Sequence, residues 1–302
     1  MIKCDHIRSA APTPFTTKMD IDAGSVLRMV KHHLRLGVKG LFLAGTNGEG
    51  PWMTNAQRRT LVRTVRQYAH KRLILAVQVT DNSTARIINN IEMAAEDGAD
   101  IAVIAPPYFP PRKDPDVLLK LYLDSIARSC LPIGIYDRAM NGELVPNGIM
   151  KAVLAQKKVI VLKDSSANVE RMKCAVAARR RRPALQLLNG WEFNCVPYIR
   201  AGYDGLLLGG AVFNGYLAGK IMAAADAGEW QRAERLQQRM NRMMWNVYGG
   251  RKIACWLAGE KYLLTRMGIF RTWKNYPDYP LTPACRQAIE KTLIRDAKYL
   301  LP

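Results

Sequence analysis

Short apolar segments alternate along the chain with longer amphipathic segments. The pairs recur at an interval of roughly 25 to 30 residues, which is typical of repeated βα units. The apolar segments are predicted strands and the amphipathic segments are predicted helices. The strands cover residues 7–13, 40–44, 73–77, 101–105, 132–136, 159–162, 185–188 and 205–208, and the helices cover 23–36, 55–69, 83–97, 115–128, 147–155, 168–180, 192–201 and 212–225.

The eight predicted strands are apolar on both faces, as in a parallel sheet that helices cover outside and barrel packing fills inside. Three further helices are predicted at 230–248, 252–267 and 283–300. The sequence therefore predicts an α/β protein: a (β/α)8 TIM barrel over residues 1–226 and a C-terminal helical extension over 227–302. A doubly wound open sheet is the alternative. It would usually place a glycine-rich phosphate turn after the first strand, where this chain has Pro12-Thr13-Pro14-Phe15.

The length and composition fit one large core, since 49% of the 302 residues are hydrophobic. Residues 1–20 lack the apolar stretch of a signal peptide, and no apolar run approaches the roughly 20 residues that cross a bilayer. We therefore expect a soluble, cytoplasmic protein with no membrane partner. We expect the cysteines to be reduced thiols that pack in the protein interior, and not a disulfide framework, because they form no C-x-x-C pair and no metal-ligand spacing. The six cysteines are Cys4, Cys130, Cys174, Cys195, Cys255 and Cys285.

The net charge of +20 at pH 7 agrees with an acidic small-molecule substrate or with nucleic acid. The densest basic run, Arg179 to Arg182, ends a predicted helix, where cations complement the helix dipole and stay solvated. No aromatic residues interleave with this run. Nucleic-acid binding is therefore the minor alternative.

In a (β/α) barrel the functional residues lie at the C-terminal ends of the strands, and the sixth strand runs directly into Lys163. Burial at an apolar barrel mouth lowers the pKa of a lysine below its usual value of about 10.4, and the neutral amine attacks ketone carbonyls. The alternative is a lysine that ends a strand and extends to water, as we expect of Lys157 and Lys158 at the opposite end.

Two more strand ends carry candidate chemistry. The fifth strand ends in Tyr136, whose phenol can carry protons while a carbinolamine forms and dehydrates, although a structural role is the alternative. The second strand runs into Gly45-Thr46-Asn47-Gly48-Glu49-Gly50. Exposed backbone N–H groups together with Thr46 and Asn47 would form a nest for a carboxylate, unless this is an ordinary βα turn.

These segments together resemble the dihydrodipicolinate synthase and N-acetylneuraminate lyase family of class I aldolases and dehydratases, over essentially the whole chain. Gly45-Thr46-Asn47-Gly48-Glu49 is similar to the family's G-[TS]-T-G-E, and Pro107-Tyr108-Phe109 is similar to its P-Y-Y. Tyr136 matches the tyrosine of its L-Y-N, and Leu162-Lys163-Asp164 matches its I-K-[ED]. Each match is weak alone, but their order after the second, fourth, fifth and sixth strands is specific.

The resemblance implies a lyase that binds pyruvate or another 2-oxo acid as an imine. By match, Lys163 would be the nucleophile, Tyr136 the proton carrier, and Thr46 with Asn47 the carboxylate binders. The backbone of Leu207 would lie beside the imine. No metal or organic cofactor is implied, since the protonated imine is itself the electron sink. A homo-oligomer, either a tetramer or a dimer, is also implied.

Three positions depart from the family pattern. Phe109 replaces a second loop tyrosine, which in the synthases reaches a neighbouring subunit's site, and a phenyl ring cannot pass a proton. Asn47 replaces a threonine and cannot relay a proton as a hydroxyl can. Asn141 stands where the synthases have an arginine for the carboxylate of their aldehyde substrate, so Arg138 compensates only if it points inward.

The seventh strand is followed by Gly190-Trp191-Glu192. This segment resembles the G-x-[DE] of the family members that act on sugar acids, in which the acidic residue contacts substrate hydroxyls. Capping a helix is the alternative role for Glu192. We therefore expect a Schiff-base lyase, an aldolase or dehydratase, that acts on pyruvate or a 2-oxo-3-deoxy sugar acid. The alternatives are a 4-hydroxy-tetrahydrodipicolinate synthase and a barrel that binds 2-oxo acids without chemistry.

Overall fold

The computed structural model describes residues 7–109, 114–139 and 142–302. Eight parallel strands form a closed barrel, in which each strand pairs with the next along the chain and the last pairs with the first. The (β/α)8 prediction is confirmed, and a doubly wound open sheet is excluded. The strands are β1 (Ile7–Ala10), β2 (Gly40–Leu43), β3 (Ile74–Gln78), β4 (Ile101–Ile104), β5 (Ile133–Asp137), β6 (Val159–Asp164), β7 (Gln186–Asn189) and β8 (Gly205–Leu208).

Polar side chains begin several of the helices. Asp22, Thr54 and Ser83 each accept a hydrogen bond from the backbone N–H three residues later, which satisfies a donor that the first helical turn leaves unpaired. The helices are α1 (Ala23–Arg35), α2 (Asn55–Ala69), α3 (Thr84–Glu96), α4 (Pro115–Arg128), α5 (Asn147–Leu154), α6 (Val169–Arg181), α7 (Cys195–Arg200), α8 (Ala211–Asp226), α9 (Trp230–Val247), α10 (Trp256–Arg266), α11 (Pro283–Arg295) and α12 (Ala297–Leu300).

Several element boundaries differ from the sequence prediction. The predicted helix over 192–201 is a 3-10 turn, Glu192–Asn194, followed by α7, and the predicted helix over 283–300 is divided into α11 and α12. The predicted helix over 252–267 begins only at Trp256, because Gly249, Gly250 and Ile253 have positive φ angles that interrupt a helix. The most consequential change is in β6, which extends to Asp164 and so includes Lys163.

The hydrophobic core has two layers, as strands that are apolar on both faces require. The larger layer lies between the barrel and its surrounding helices. The smaller layer fills the barrel interior and is formed by alternate residues of the strands: Ala10, Phe42, Ala76, Ile101, Val103, Ala105, Tyr136, Val161, Leu188 and Leu207.

The four-helix C-terminal segment packs against the barrel rather than standing apart from it. Helix α9 lies along α8, and α10 contacts α9 and α11. A domain boundary at residue 226 stays a prediction. Among the described residues, no helix is long and apolar enough to cross a membrane.

The basic run at the end of α6 has structural partners. Arg179 forms an ion pair with Asp204, with 2.7 Å between Nη2 and Oδ1. The Arg182 guanidinium donates to the Val159 carbonyl at 3.0 Å. These contacts tie the end of α6 to neighbouring loops, which favours the structural interpretation of the run over a nucleic-acid site.

Candidate active site

Lys163 lies within β6 and faces the inside of the barrel. The strand register places it beside Tyr136 of β5 and Leu188 of β7. Alternate residues of a strand share a face, so Lys163 shares its face with Val161, a member of the interior layer. Only 7% of Lys163 is exposed. Its amine therefore lies in an enclosed, largely apolar site.

Burial lowers the pKa of Lys163, because the protein interior stabilises an ammonium group less well than water does. The neighbouring Tyr136 and Glu192 oppose this effect without reversing it. The Nζ atom lies 4.2 Å from the centroid of the Tyr136 ring and 5.0 Å from that of Phe42. A larger neutral fraction makes the amine a better nucleophile at moderate pH.

The side chains of Thr46 and Ser165 neighbour the hydroxyl of Tyr136 and lower its pKa. Burial alone would raise the pKa of this phenol, but Lys163, Arg138 and the two neighbouring hydroxyl side chains outweigh it, so the pKa falls below the usual value. A buried phenol with a lowered pKa beside an amine is suited to accept and return a proton.

Ser165 had no role in the sequence analysis. It follows Lys163 by two positions, and the period of a strand therefore brings it to the same face. Close packing at this point requires glycine at position 190: a Cβ there would lie 2.2 Å from Ser165 Oγ and 2.8 Å from Lys163 Cε. Three hydroxyls, from Thr46, Tyr136 and Ser165, thus form one group beside the lysine.

Arg138 points inward. Its Nη1 donates to Thr46 Oγ1 at 2.7 Å, so the guanidinium reaches from the end of β5 to the turn after β2. This is the orientation in which Arg138 can supply a cation for a substrate carboxylate. Asn141, the position that matches the synthase arginine, lies outside the described residues.

The side chain of Asn47 faces the protein. Its Nδ2 donates to the Ala10 carbonyl at 2.8 Å and to Glu260 Oε1 at 3.1 Å. Within the described parts of the chain, the backbone N–H groups of Thr46 and Asn47 donate to no protein acceptor. A contact of Asn47 with a substrate carboxylate would therefore use its backbone N–H and not its amide.

The turn after β2 is held by α10, which the sequence analysis did not anticipate. Glu49 has a φ angle of 59° and forms a fully buried ion pair with Lys261. The other Glu49 oxygen accepts from the Tyr276 backbone N–H at 2.7 Å. Lys261 also donates to the Lys274 carbonyl at 2.8 Å. These contacts set the conformation of the turn.

Glu192 does not cap the helix that follows it, since α7 has no side-chain cap, so that alternative is wrong. Its Oε2 accepts from the Gly210 backbone N–H at 2.7 Å and its Oε1 accepts from the Tyr248 hydroxyl at 3.0 Å. Burial raises the pKa of Glu192, although these donors and Lys163 act in the opposite direction. The carboxyl group thus lies on the β8 side of the site.

Two other predicted positions differ in their surroundings. Leu207 is buried in the barrel interior, in the same layer as Tyr136 and Val161. Phe109 is 78% exposed, and its backbone N–H donates to Asn82 Oδ1 at 3.0 Å. The described fold thus brings together the predicted residues Lys163, Tyr136, Thr46, Asn47, Arg138, Leu207 and Glu192, and leaves Phe109 at the surface.

The geometry of this site agrees with the family that the sequence motifs indicated. The sequence profile of the Dihydrodipicolinate synthetase family matches residues 3–295. The chain belongs to this family. Its members are Schiff-base lyases of the aldolase type, and the prediction of that enzyme class is confirmed.

Individual relatives carry two different names. A 4-hydroxy-tetrahydrodipicolinate synthase of Chlorobium luteolum is 24% identical over 292 residues, which are 94% of this chain and 94% of the relative. An N-acetylneuraminate lyase of Salmonella agona is 26% identical over 302 residues, which are 97% of this chain and 93% of the relative. Dihydrodipicolinate synthase DapA-2 of Bacillus anthracis has the same fold, with a TM-score of 0.87 at 20% identity over 98% of this chain and 99% of that one.

Proposed function

We propose that Lys163 of this family member forms an imine with pyruvate or a 2-oxo-3-deoxy sugar acid, and that the bond made or broken lies at the adjoining carbon. The observation that carries the proposal is the buried Lys163 amine, with its lowered pKa, beside the acidified phenol of Tyr136. An uncharged amine and a proton carrier are the two groups that imine formation requires.

The hydroxyl group of Tyr136 would carry protons in both stages of imine formation, which are the formation of the carbinolamine and its dehydration. The neutral amine attacks the ketone carbon, the phenol gives a proton to the oxygen that becomes the carbinolamine hydroxyl, and the phenolate takes a proton back from the nitrogen, which leaves a neutral carbinolamine. Protonation of that hydroxyl then releases water and leaves the protonated imine. Thr46 and Ser165 provide neighbouring hydroxyls through which the phenol can recover its proton. This route needs no hydroxyl at Phe109.

The substrate carboxylate would bind at the turn after β2. The backbone N–H groups of Thr46 and Asn47 have no acceptor among the described residues, and Arg138 supplies a positive charge at Thr46. Charge-assisted hydrogen bonds of this kind both orient and neutralise a carboxylate. The imine carbon would then lie toward Lys163 and Leu207.

The Glu192 carboxyl group favours a hydroxylated substrate, since it can accept a hydrogen bond from a sugar hydroxyl beyond the imine. A 4-hydroxy-tetrahydrodipicolinate synthase is the second candidate, favoured by the inward position of Arg138, which could hold the carboxylate of a second substrate. Turnover of pyruvate with an aldehyde acid, compared with cleavage of 2-oxo-3-deoxy sugar acids, distinguishes the two reactions.

Trapping with borohydride tests the imine directly. Wild-type protein treated with pyruvate and borohydride should gain one reduced adduct, and peptide mass spectrometry should place it on Lys163. No adduct with pyruvate or with a panel of 2-oxo-3-deoxy sugar acids would contradict the proposal. Ligand-induced thermal stabilisation that survives Lys163→Ala, without an adduct in the wild type, would instead support a barrel that only binds 2-oxo acids.

We further propose a homo-oligomer, a dimer or a tetramer, in which a neighbouring chain covers Phe109. The Phe109 phenyl ring is 78% exposed on a loop at the barrel mouth, so a neighbouring chain can contact it. Phe109→Asp should therefore shift the mass measured by light scattering toward a smaller assembly, whereas Phe109→Tyr should retain the wild-type mass. An unchanged mass for Phe109→Asp would place any interface elsewhere.

A cytoplasmic location is the remaining part of the proposal. Five cysteines, Cys130, Cys174, Cys195, Cys255 and Cys285, are free in the described structure. Unpaired cysteines are typical of proteins in reducing compartments. A small-molecule 2-oxo acid is the only partner that the proposal requires besides further copies of the chain.

A further inference from the structure

Helix α10 places two consecutive ionisable residues, Glu260 and Lys261, against the turn after β2. Both are 0% exposed. Lys261 forms the ion pair with Glu49, and Glu260 accepts a hydrogen bond from Asn47. The C-terminal segment therefore contributes buried polar groups directly behind the proposed carboxylate site. Glu260 takes no part in the imine chemistry described above.

The contacts of Glu260 are incomplete for an ionised carboxylate. Its Oε1 accepts from Asn47 Nδ2, but its Oε2 is buried and has no hydrogen-bond partner among the described residues. Asn47 Oδ1 is likewise buried without a donor. The hydrogen-bonded pair of Asn47 and Glu260 therefore contains two buried acceptor oxygens without a donor. Buried acceptors without a donor reduce the stability of the folded protein.

The charges around Glu260 also disfavour its ionised form. Four groups face it from the neighbouring elements: Glu49 in the turn after β2, Glu192 after β7, Tyr248 after α9, and Lys261 beside it on α10. The only cation of these, Lys261, is already paired with Glu49. Burial raises the pKa of Glu260 well above its usual value, more than Asn47 and Lys261 lower it.

We propose that Glu260 is a neutral carboxylic acid in the folded protein and acts as a positioning residue for Asn47. Its O–H supplies the donor that Asn47 Oδ1 lacks, while Asn47 Nδ2 continues to donate to Oε1, so that one proton completes an acid–amide pair. The pair holds Asn47 and the adjoining Thr46 with their backbone N–H groups free for a ligand. This last part rests on the proposed function.

Neutrality has a functional consequence at this position. An ionised Glu260 behind the turn would repel the carboxylate of a 2-oxo acid through a low-dielectric interior, whereas a neutral acid does not. The acid therefore orients the turn without opposing the substrate charge. Glutamine at position 260 would keep this function, because its amide can both donate to Asn47 Oδ1 and accept from Asn47 Nδ2.

The protonation of Glu260 is tested by comparing the pH dependence of unfolding in the wild type and in Glu260→Gln. Because the folded pKa is raised, Glu260 contributes stability that is present at low pH and lost as pH rises through the folded pKa. Above the usual glutamate pKa of about 4.3, the folding equilibrium constant of the wild type should fall relative to Glu260→Gln by about tenfold per pH unit.

Groups other than Glu260 titrate in both proteins and cancel in this comparison. A wild-type to variant ratio that stays constant between about pH 6 and pH 8 would overturn the proposal. The infrared difference spectrum provides a check that needs no unfolding. Native wild type at neutral pH should show a protonated-carboxyl band that Glu260→Gln lacks, and an ionised-carboxylate band in its place would also overturn it.

The positioning role is tested by borohydride trapping at a series of pyruvate concentrations. Glu260→Ala should raise the pyruvate concentration for half-maximal adduct by about tenfold or more, and Glu260→Gln should keep it within about threefold of wild type. Equal losses in both variants, or no loss in Glu260→Ala, would refute the role. A wild type without any adduct would refute imine formation, while the unfolding and infrared results would still decide the protonation of Glu260.

Discussion

Lys163→Met should form no borohydride-stable adduct with any 2-oxo acid, and its turnover should fall by about 10⁴-fold or more, since the variant lacks the nucleophile that begins the reaction. Methionine keeps the length and apolar stem of the side chain, so the barrel interior stays filled. Removing a buried amine whose pKa is already lowered should not reduce stability. Adduct mass, initial rates and the melting temperature are the measurements.

The matched control is Lys157→Met, which changes an exposed lysine in the turn that precedes the same strand. It should retain the wild-type adduct and rate. An adduct that persists in Lys163→Met, on any other lysine, would move the nucleophile away from the proposed site.

The lowered pKa of Lys163 also leads to a prediction about the pH dependence of adduct formation. Only the neutral amine attacks, and its fraction rises as pH passes through the pKa of the free enzyme. The rate constant for adduct formation should therefore rise with pH and level off below 10.5, the usual lysine pKa. A rate that is still rising at that pH would show that burial does not lower the pKa.

Tyr136→Phe should slow imine formation and turnover by about 10² to 10⁴-fold, the range in which a positioned proton carrier contributes. The change keeps the ring that packs edge-on against Phe42, with 5.6 Å between centroids, and removes only the hydroxyl. The half-saturating substrate concentration should change much less than the rate. Single-turnover adduct kinetics, which isolate the imine step, are the decisive measurement.

A hydroxyl outside the site provides the comparison. Tyr122 of α4 is buried, and its hydroxyl has no hydrogen-bond partner among the described residues. Tyr122→Phe should therefore keep wild-type rates and equal or greater stability. If Tyr136→Phe behaved like Tyr122→Phe, the proton would have to move through another group, and Ser165 would be the first to test.

Much of the fold follows from local sequence patterns. The eight strands were all predicted, because an apolar run that is bounded by turn residues and followed by an amphipathic segment is enough to identify a strand. Errors occurred at element ends, where the outcome depends on packing. Helix α10 begins at Trp256 because the preceding backbone adopts positive φ angles, and the apolar pattern does not encode them.

Within the candidate site, the residues at strand ends were predictable and their partners were not. Lys163 and Tyr136 were identified because the ends of parallel strands meet at one edge of a barrel. Ser165 could have been found from the two-residue period of a strand. The direction of Arg138 depends on a side-chain rotamer, and the helix-cap alternative for Glu192 failed because Tyr248 and Gly210 occupy its oxygens.

The sequence by itself determined the barrel, the order of its strand-end motifs and the position of the candidate lysine. Only the tertiary structure decided which groups support them: Asn47 meets Glu260 across 213 positions of sequence, and Glu49 meets Lys261 beside it. Local periodicity reflects hydrogen bonding and burial within one element. A buried polar contact between distant segments depends on the packing of the whole chain, and so does the protonation state of a carboxyl group that such a contact encloses.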